Sequence, residues 1–202
     1  MKATDVKSIP YTLDRRQIVR QLLDGRDDIP VVTGLSSASY DSVAARSAAH
    51  PLIFNLHGAL GGAAMVGLGL ALAQPGRRIL VLMGDGDVLC GLGSLATLAV
   101  SGASNLGLAV FDNAIYGETG DQMTATSQGV ELGAVAAACG MPVARTVDRQ
   151  EDVAAAIADL LEAPGPVVVN FKVSPAHPGH LAKTRDGVLM KLRFRQALLG
   201  TP

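Results

Sequence analysis

The run Ile79-Leu80-Val81-Leu82-Met83 is apolar at every position and stops at Gly84-Asp85-Gly86. A strand with one wet face alternates apolar and polar residues. A run without alternation is buried on both faces, the condition inside a parallel sheet covered by helices on each side. Beyond the acidic turn, Val88, Leu89, Leu92, Leu95, Leu98 and Ala99 recur at helical spacing and predict one helix over 88–101. A second apolar run, 106–111, ends in Asp112-Asn113. In an open α/β sheet, strand ends converge on a ligand crevice, so Asp85 and Asn113 can face one bound group although 27 residues lie between them. Two such oxygen donors suit a hard divalent cation whose other contacts come from phosphate.

The rest of the chain keeps the same alternation. Residues 13–23 predict an amphipathic helix stopped at Gly25, 31–33 a short strand, and GLSSASYDS a serine-rich turn into a small-residue helix over about 41–49. Those serines serve either as caps and turn formers or as donors to a substrate carboxylate. Residues 52–55 read as a strand running into HGALGGAAMVGLGLALA, a glycine-rich turn followed by a nearly all-apolar, buried helix. After Asn113 the segment AIYGETGDQMTATSQGVELG lacks periodicity and reads as a loop over the strand ends, with a helix from near Val130. A strand at 143–147, a helix at 150–161, a strand at 167–173 and a basic amphipathic tail helix complete the pattern.

Six apolar runs alternating with helices predict an α/β fold, a doubly wound, mostly parallel six-stranded sheet with helices on both faces. At 202 residues and 49% hydrophobic content the expectation is a single domain over 1–202, with 1–30 a helical lead-in and 180–202 a basic C-terminal helix.

A formal net charge of −1 and 3% aromatic content argue against a nucleic-acid surface. No apolar run approaches a membrane span and the N-terminus lacks a signal-peptide core, so the expected setting is cytoplasmic. Cys90 and Cys139 read as small core residues of a reducing compartment. His177 and His180 are three apart, but Pro178-Gly179 breaks the helix that would align them on zinc. His50 reads as a cation at a helix end. His57, beside the glycine turn, is either a proton-transfer group or a structural residue. A dinucleotide-binding reading fails because the first strand is followed by GLSSASYD and not by GxGxxG.

Gly84-Asp85-Gly86, then 25 residues, then Asp112-Asn113 resembles the signature of the thiamine diphosphate-dependent enzymes, with Asp112 in place of the first Asn of their NN pair. The resemblance covers about 31–173 and corresponds to the module that grips the diphosphate. It implies that Asp85, Asn113 and the carbonyl of Ile115 bind Mg2+, and that Gly84, Gly86, Asp87 and Tyr116 lie against thiamine diphosphate. It implies that the helix over 88–101 presents N-terminal amides to the phosphate. In the turn before the small-residue helix it makes Gly58 the carbonyl donor to the aminopyrimidine and Leu60 the wedge that bends the cofactor. His57 and Glu118 are the candidate acid or base groups. Tyr116, Glu118, Asp121 and Gln122 are expected beside the cofactor in a covering loop, with Gln122 a candidate substrate donor.

Within the family, the ALAQPGR and DNAIYGETGDQ stretches look most similar to the beta subunit of sulfopyruvate decarboxylase and to phosphonopyruvate decarboxylase. That implies decarboxylation of a small anionic 2-oxo acid. A second subunit carrying the pyrimidine-binding domain and its activating glutamate is the implied partner, since nothing in this chain looks like that half. Carboligation by an acetolactate synthase-like subunit and a non-catalytic scaffold are the alternatives. The side of the site formed here is acidic, so cations for an anionic substrate are expected from the partner or from the tail over 183–195.

Overall fold

The computed structural model describes residues 6–35, 37–179 and 181–200; Ser36 and His180 lie outside them. Helix α1 (Arg15–Leu23) starts at Asp14, whose carboxylate accepts from the amides of Arg16 and Gln17 and satisfies donors the first turn leaves open. Then come β1 (Val31–Thr33), α2 (Ser37–Ala45), β2 (Ile53–Asn55), α3 (Ala63–Ala73) and β3 (Ile79–Gly84). Two short helices follow, α4 (Asp85–Cys90) and α5 (Gly93–Val100), before β4 (Leu106–Asp112). A small antiparallel hairpin of β5 (Ile115–Tyr116) and β6 (Gln122–Met123) precedes α6 (Leu132–Ala138), β7 (Val143–Val147), α7 (Gln150–Glu162), β8 (Val167–Lys172) and α8 (Gly187–Leu199).

The main sheet has six strands in the order β2-β1-β3-β4-β8-β7, and every pairing is parallel. Both of its faces are covered, as the absence of alternation in β3 requires. Leu80 and Leu82 point into the core beneath α1, α2 and α7, while Ile79, Val81 and Met83 point into the core beneath α3, α5 and α6. From β1 the chain moves outward to β2 on one side, and from β3 it moves to β4 on the other. The order therefore diverges between β1 and β3, and a crevice forms at the C-terminal ends of those strands.

Three expectations change. The helix predicted over 88–101 begins earlier, at Asp85, and is split at Gly91-Leu92. The cause is the turn after β2, which presses between the two pieces: a Cβ on Gly91 would lie 2.4 Å from the Gly61 carbonyl oxygen. The small-residue helix predicted over 41–49 runs instead from Ser37 to Ala45, so His50 lies past its end and accepts from the Leu52 amide through Nδ1. Cys90 is exposed and not a core residue; Cys139 is half-buried, and both thiols are free. Among the described residues no helix is long and apolar enough to cross a membrane.

Candidate functional site

The crevice is walled by the ends of β1, β3 and β4. Leu35 lines it from the turn after β1, Ser37 and Ala38 from the start of α2, Gly84 from the end of β3, and Asp85, Gly86 and Asp87 from the start of α4. Asn113, Ile115, Tyr116 and Glu118 come from the hairpin side, and Leu60 from the turn before α3. Leu60 is 45% exposed, unusual for a leucine in a concave site and suited to a side chain that meets a ligand. Nine of the residues singled out in the sequence thus share one cavity. His57 and Gly58 are not among its lining residues. His57 Nε2 lies 3.0 Å from the Thr184 carbonyl oxygen, which makes it a structural contact to the C-terminal segment. Asp121 and Gln122 also turn away, Asp121 to His177 and Gln122 to Thr119.

Close packing shapes this cradle. Asp87 accepts from the backbone amides of Leu35 and Gly61, so one carboxylate ties the turns after β1 and β2 to the start of α4. Burial pushes its pKa up while those two amides pull it down, and burial prevails. Gly34 has no room for a side chain, since a Cβ there would sit 1.6 Å from Asp87 Oδ2. Gly86 is equally confined: a Cβ would fall 2.4 Å from the Tyr116 ring, which packs on the Gly-Asp-Gly turn. Ala114, between Asn113 and Ile115, adopts φ 62°, sparsely populated by a residue with a side chain. Side-chain oxygens hold that turn: Asp112 Oδ1 accepts from the Ala114 amide at 3.1 Å and Asn113 Oδ1 from the Ile115 amide at 3.2 Å.

Asp85 is the most deeply buried carboxylate lining the crevice, only 1% exposed. Its Oδ2 accepts from Thr124 Oγ1 at 2.5 Å and lies 3.2 Å from Thr126 Oγ1. Thr126 also donates to Asp112 Oδ1 at 2.7 Å, so a single hydroxyl stands between two buried carboxylates. Burial and then the negative charge of Asp112 push the Asp85 carboxyl up to about 6, against the pull of the two threonines. A cation at Asp85 relieves both effects, so this pair of acids fits a metal better than it fits an empty interior. Among the described residues no cluster of three or more His, Cys, Asp and Glu side chains forms a metal site. A hard cation here would draw on Asp85, Asn113 and a backbone carbonyl, with ligand oxygens completing its shell.

The sequence did not point to what balances Asp112. Lys172, its register partner on β8, donates to Asp112 Oδ2 at 2.6 Å, with both side chains buried. Burial alone would lower the Lys172 pKa, but the bond to and charge of Asp112 outweigh it and raise it. Asn170 donates to Glu131 Oε1 at 2.9 Å, and Glu131 Oε1 lies 3.5 Å from Lys172 Nζ. Burial disfavours the Glu131 charge, yet bonds from Thr146 and Asn170 together with Lys172 bring its pKa down. The available signal was the spacing of Asn170 and Lys172, two polar residues on one face of the otherwise apolar VVVNFKV.

In open, wholly parallel α/β sheets, a crevice at the switch point is where ligands bind. The profile described as thiamine pyrophosphate enzyme, C-terminal TPP binding domain, matches residues 33–171, and the chain belongs to that family. It is 39% identical over 149 residues to the phosphonopyruvate decarboxylase of Streptomyces viridochromogenes, covering 74% of this chain and 37% of that protein. It is 34% identical over 165 residues to sulfopyruvate decarboxylase subunit beta of Methanothermobacter thermautotrophicus, covering 82% of this chain and 84% of that one. The chain thus spans about a third of the phosphonopyruvate decarboxylases it matches, 37% and 31% of their lengths. A thiamin diphosphate-dependent enzyme from Mycobacterium smegmatis shares the fold, with a TM-score of 0.67 at 24% identity over 84% of this chain and 34% of that one.

Proposed function

We propose that this chain is the diphosphate-binding subunit of a thiamine diphosphate- and Mg2+-dependent decarboxylase acting on a small 2-oxo acid with a second anionic group. In this reading 1–202 is one domain, and a partner subunit supplies the pyrimidine-binding domain and its activating glutamate. The observation that carries it is the convergence of Asp85, Asn113 and Leu60 on one crevice in a family member whose relatives are named as decarboxylases. The cation would be held by the Asp85 carboxylate, the Asn113 side-chain oxygen and the Ile115 carbonyl. Thiamine diphosphate, when bound, supplies the electron sink for the pair released as the carboxylate leaves as carbon dioxide.

The rest falls to this chain's residues. Leu60 offers an exposed apolar surface against which the cofactor is bent. Gly84 and Gly86 allow backbone to approach the diphosphate, with Asp87 holding the surrounding turns in place. Tyr116 closes over Gly86, and the hairpin behind it excludes water from the reacting centre. Glu118, which lines the crevice from the hairpin, is the candidate acid or base of this chain. His57 is not assigned that role, because its ring is committed to the Thr184 carbonyl.

Calorimetric titration of the purified chain with thiamine diphosphate and Mg2+ tests the reading. Binding should require both components, and Asp85→Ala should abolish it while circular dichroism shows the fold intact. Equal affinity in the variant would reject the site.

A further inference from the structure

The crevice carries Asp85, Asp87 and Glu118, and among its described lining residues there is no lysine, arginine or histidine. An anionic substrate tail would meet carboxylates and neutral donors there, but no cation from the lining. The segment after β8 folds back over the start of α2 and brings a cation there. Lys183 Nζ donates to Ser39 Oγ at 2.5 Å and stands 3.9 Å from the centroid of the Tyr40 ring. Ser37 and Ala38, immediately before Ser39 on α2, line the crevice, so the ammonium is held one residue along the helix from its wall. Glu118, on the opposite wall, exerts its charge on Lys183 from across the opening, while Arg185 adds positive charge nearby.

The position is built. Thr184, the next residue, is pinned from two sides, its hydroxyl donating to the Ala48 carbonyl at 3.1 Å and its own carbonyl lying 3.0 Å from His57 Nε2. Upstream, the Arg16 guanidinium donates to the carbonyls of Pro178 and Gly179 at 3.1 and 3.0 Å. A lysine held at both ends of its segment, with its ammonium on an aromatic face and one of three N–H groups given to Ser39, has donors left to meet a ligand.

We propose that Lys183 is the specificity-determining cation of this site, binding the sulfonate or phosphonate end of a 2-oxo acid whose keto-acid end faces the cofactor. The assignment rests on the reading of the crevice as a thiamine diphosphate site. Partial burial strips water from the ammonium and lowers the Lys183 pKa, and a poorly hydrated cation gains more from an anionic oxygen donor than a fully hydrated one does. Sulfonate and phosphonate share the chemistry that recognises them, three oxygens around a tetrahedral centre, and pyruvate lacks it.

The test uses the full chain loaded with thiamine diphosphate and Mg2+, titrated separately with sulfopyruvate, phosphonopyruvate and pyruvate. The wild type should bind at least one of the two doubly anionic acids about tenfold more tightly than pyruvate, the scale of a charge-assisted hydrogen bond. Lys183→Met should erase that preference and leave the affinities for cofactor and pyruvate as they were. Lys183→Gln, which keeps a donor toward Ser39, should erase it too and thereby separate loss of charge from loss of fold. A preference surviving in both variants, or a wild type that binds all three acids alike, overturns the assignment while the cofactor reading stands. A wild type that binds no thiamine diphosphate removes the site reading itself, and this assignment with it.

Discussion

At Asp85 binding and folding make opposite demands. The carboxylate is almost fully buried and faces Asp112, so in the metal-free chain its ionised form is disfavoured and its pKa rises to about 6. The unfolded chain releases the same proton near pH 4. Below about 4 both states are protonated and above about 6 both are ionised, so native stability falls across that window and the loss is complete above it. For two pKa units the loss is about 3 kcal/mol. Asp85→Asn, which cannot ionise, should therefore be more stable than the metal-free wild type at pH 7 by up to about 3 kcal/mol, an advantage that vanishes near pH 4. Urea denaturation of both proteins across that range measures it. An unchanged difference between pH 4 and pH 7 would show that Asp85 is not the group responsible.

Among the elements, β4 and β8 carry a buried charge pair beside the crevice. Asp112 and its register partner Lys172 balance each other across the ladder. Lys172→Met leaves a buried carboxylate unpaired and should cost about 3 kcal/mol or more. The double variant Asp112→Asn with Lys172→Met removes both charges and should recover most of that loss, as thermal melts of the three variants would show. If the double variant is as unstable as the single, the two residues are not coupled.

The same elements mark how far the sequence could be read. β3 and β4 were legible because unbroken apolar runs have one structural solution in a covered sheet, and Asp85 and Asn113 followed as their ends. The break at Gly91-Leu92 was not, because Gly61 causes it from 30 positions away and helical periodicity carries no trace of a partner. The hairpin was missed because strands of two residues show no alternation. Thr124 and Thr126 lie in the segment read as a loop, and only the folded chain brings their hydroxyls onto Asp85. His57 was adjacent to the right turn, but its ring is directed to Thr184, a contact that spacing cannot reveal.

For the whole molecule the question is completeness. This chain covers 84% of a protein named as a beta subunit but about a third of the phosphonopyruvate decarboxylases, 37% and 31%. On the proposed reading those longer relatives hold in one chain what is here divided between two. The purified chain should then release no carbon dioxide from sulfopyruvate, phosphonopyruvate or pyruvate even with cofactor bound, and addition of the complementary subunit should restore release. Full turnover by this chain alone would refute the division of labour.

The chain has three tyrosines and no tryptophan, and one of the three, Tyr116, lines the crevice. Tyr116 packs on Gly86 within the crevice, Tyr40 lies under Lys183, and Tyr11 lies 5.3 Å from the Lys172 ammonium. Its ultraviolet emission is therefore a built-in optical reporter of the site, with no indole to mask it. Seating a ligand against the hairpin should change the phenol signal in a saturable way, and Tyr116→Phe should remove most of that response without weakening the binding seen by calorimetry.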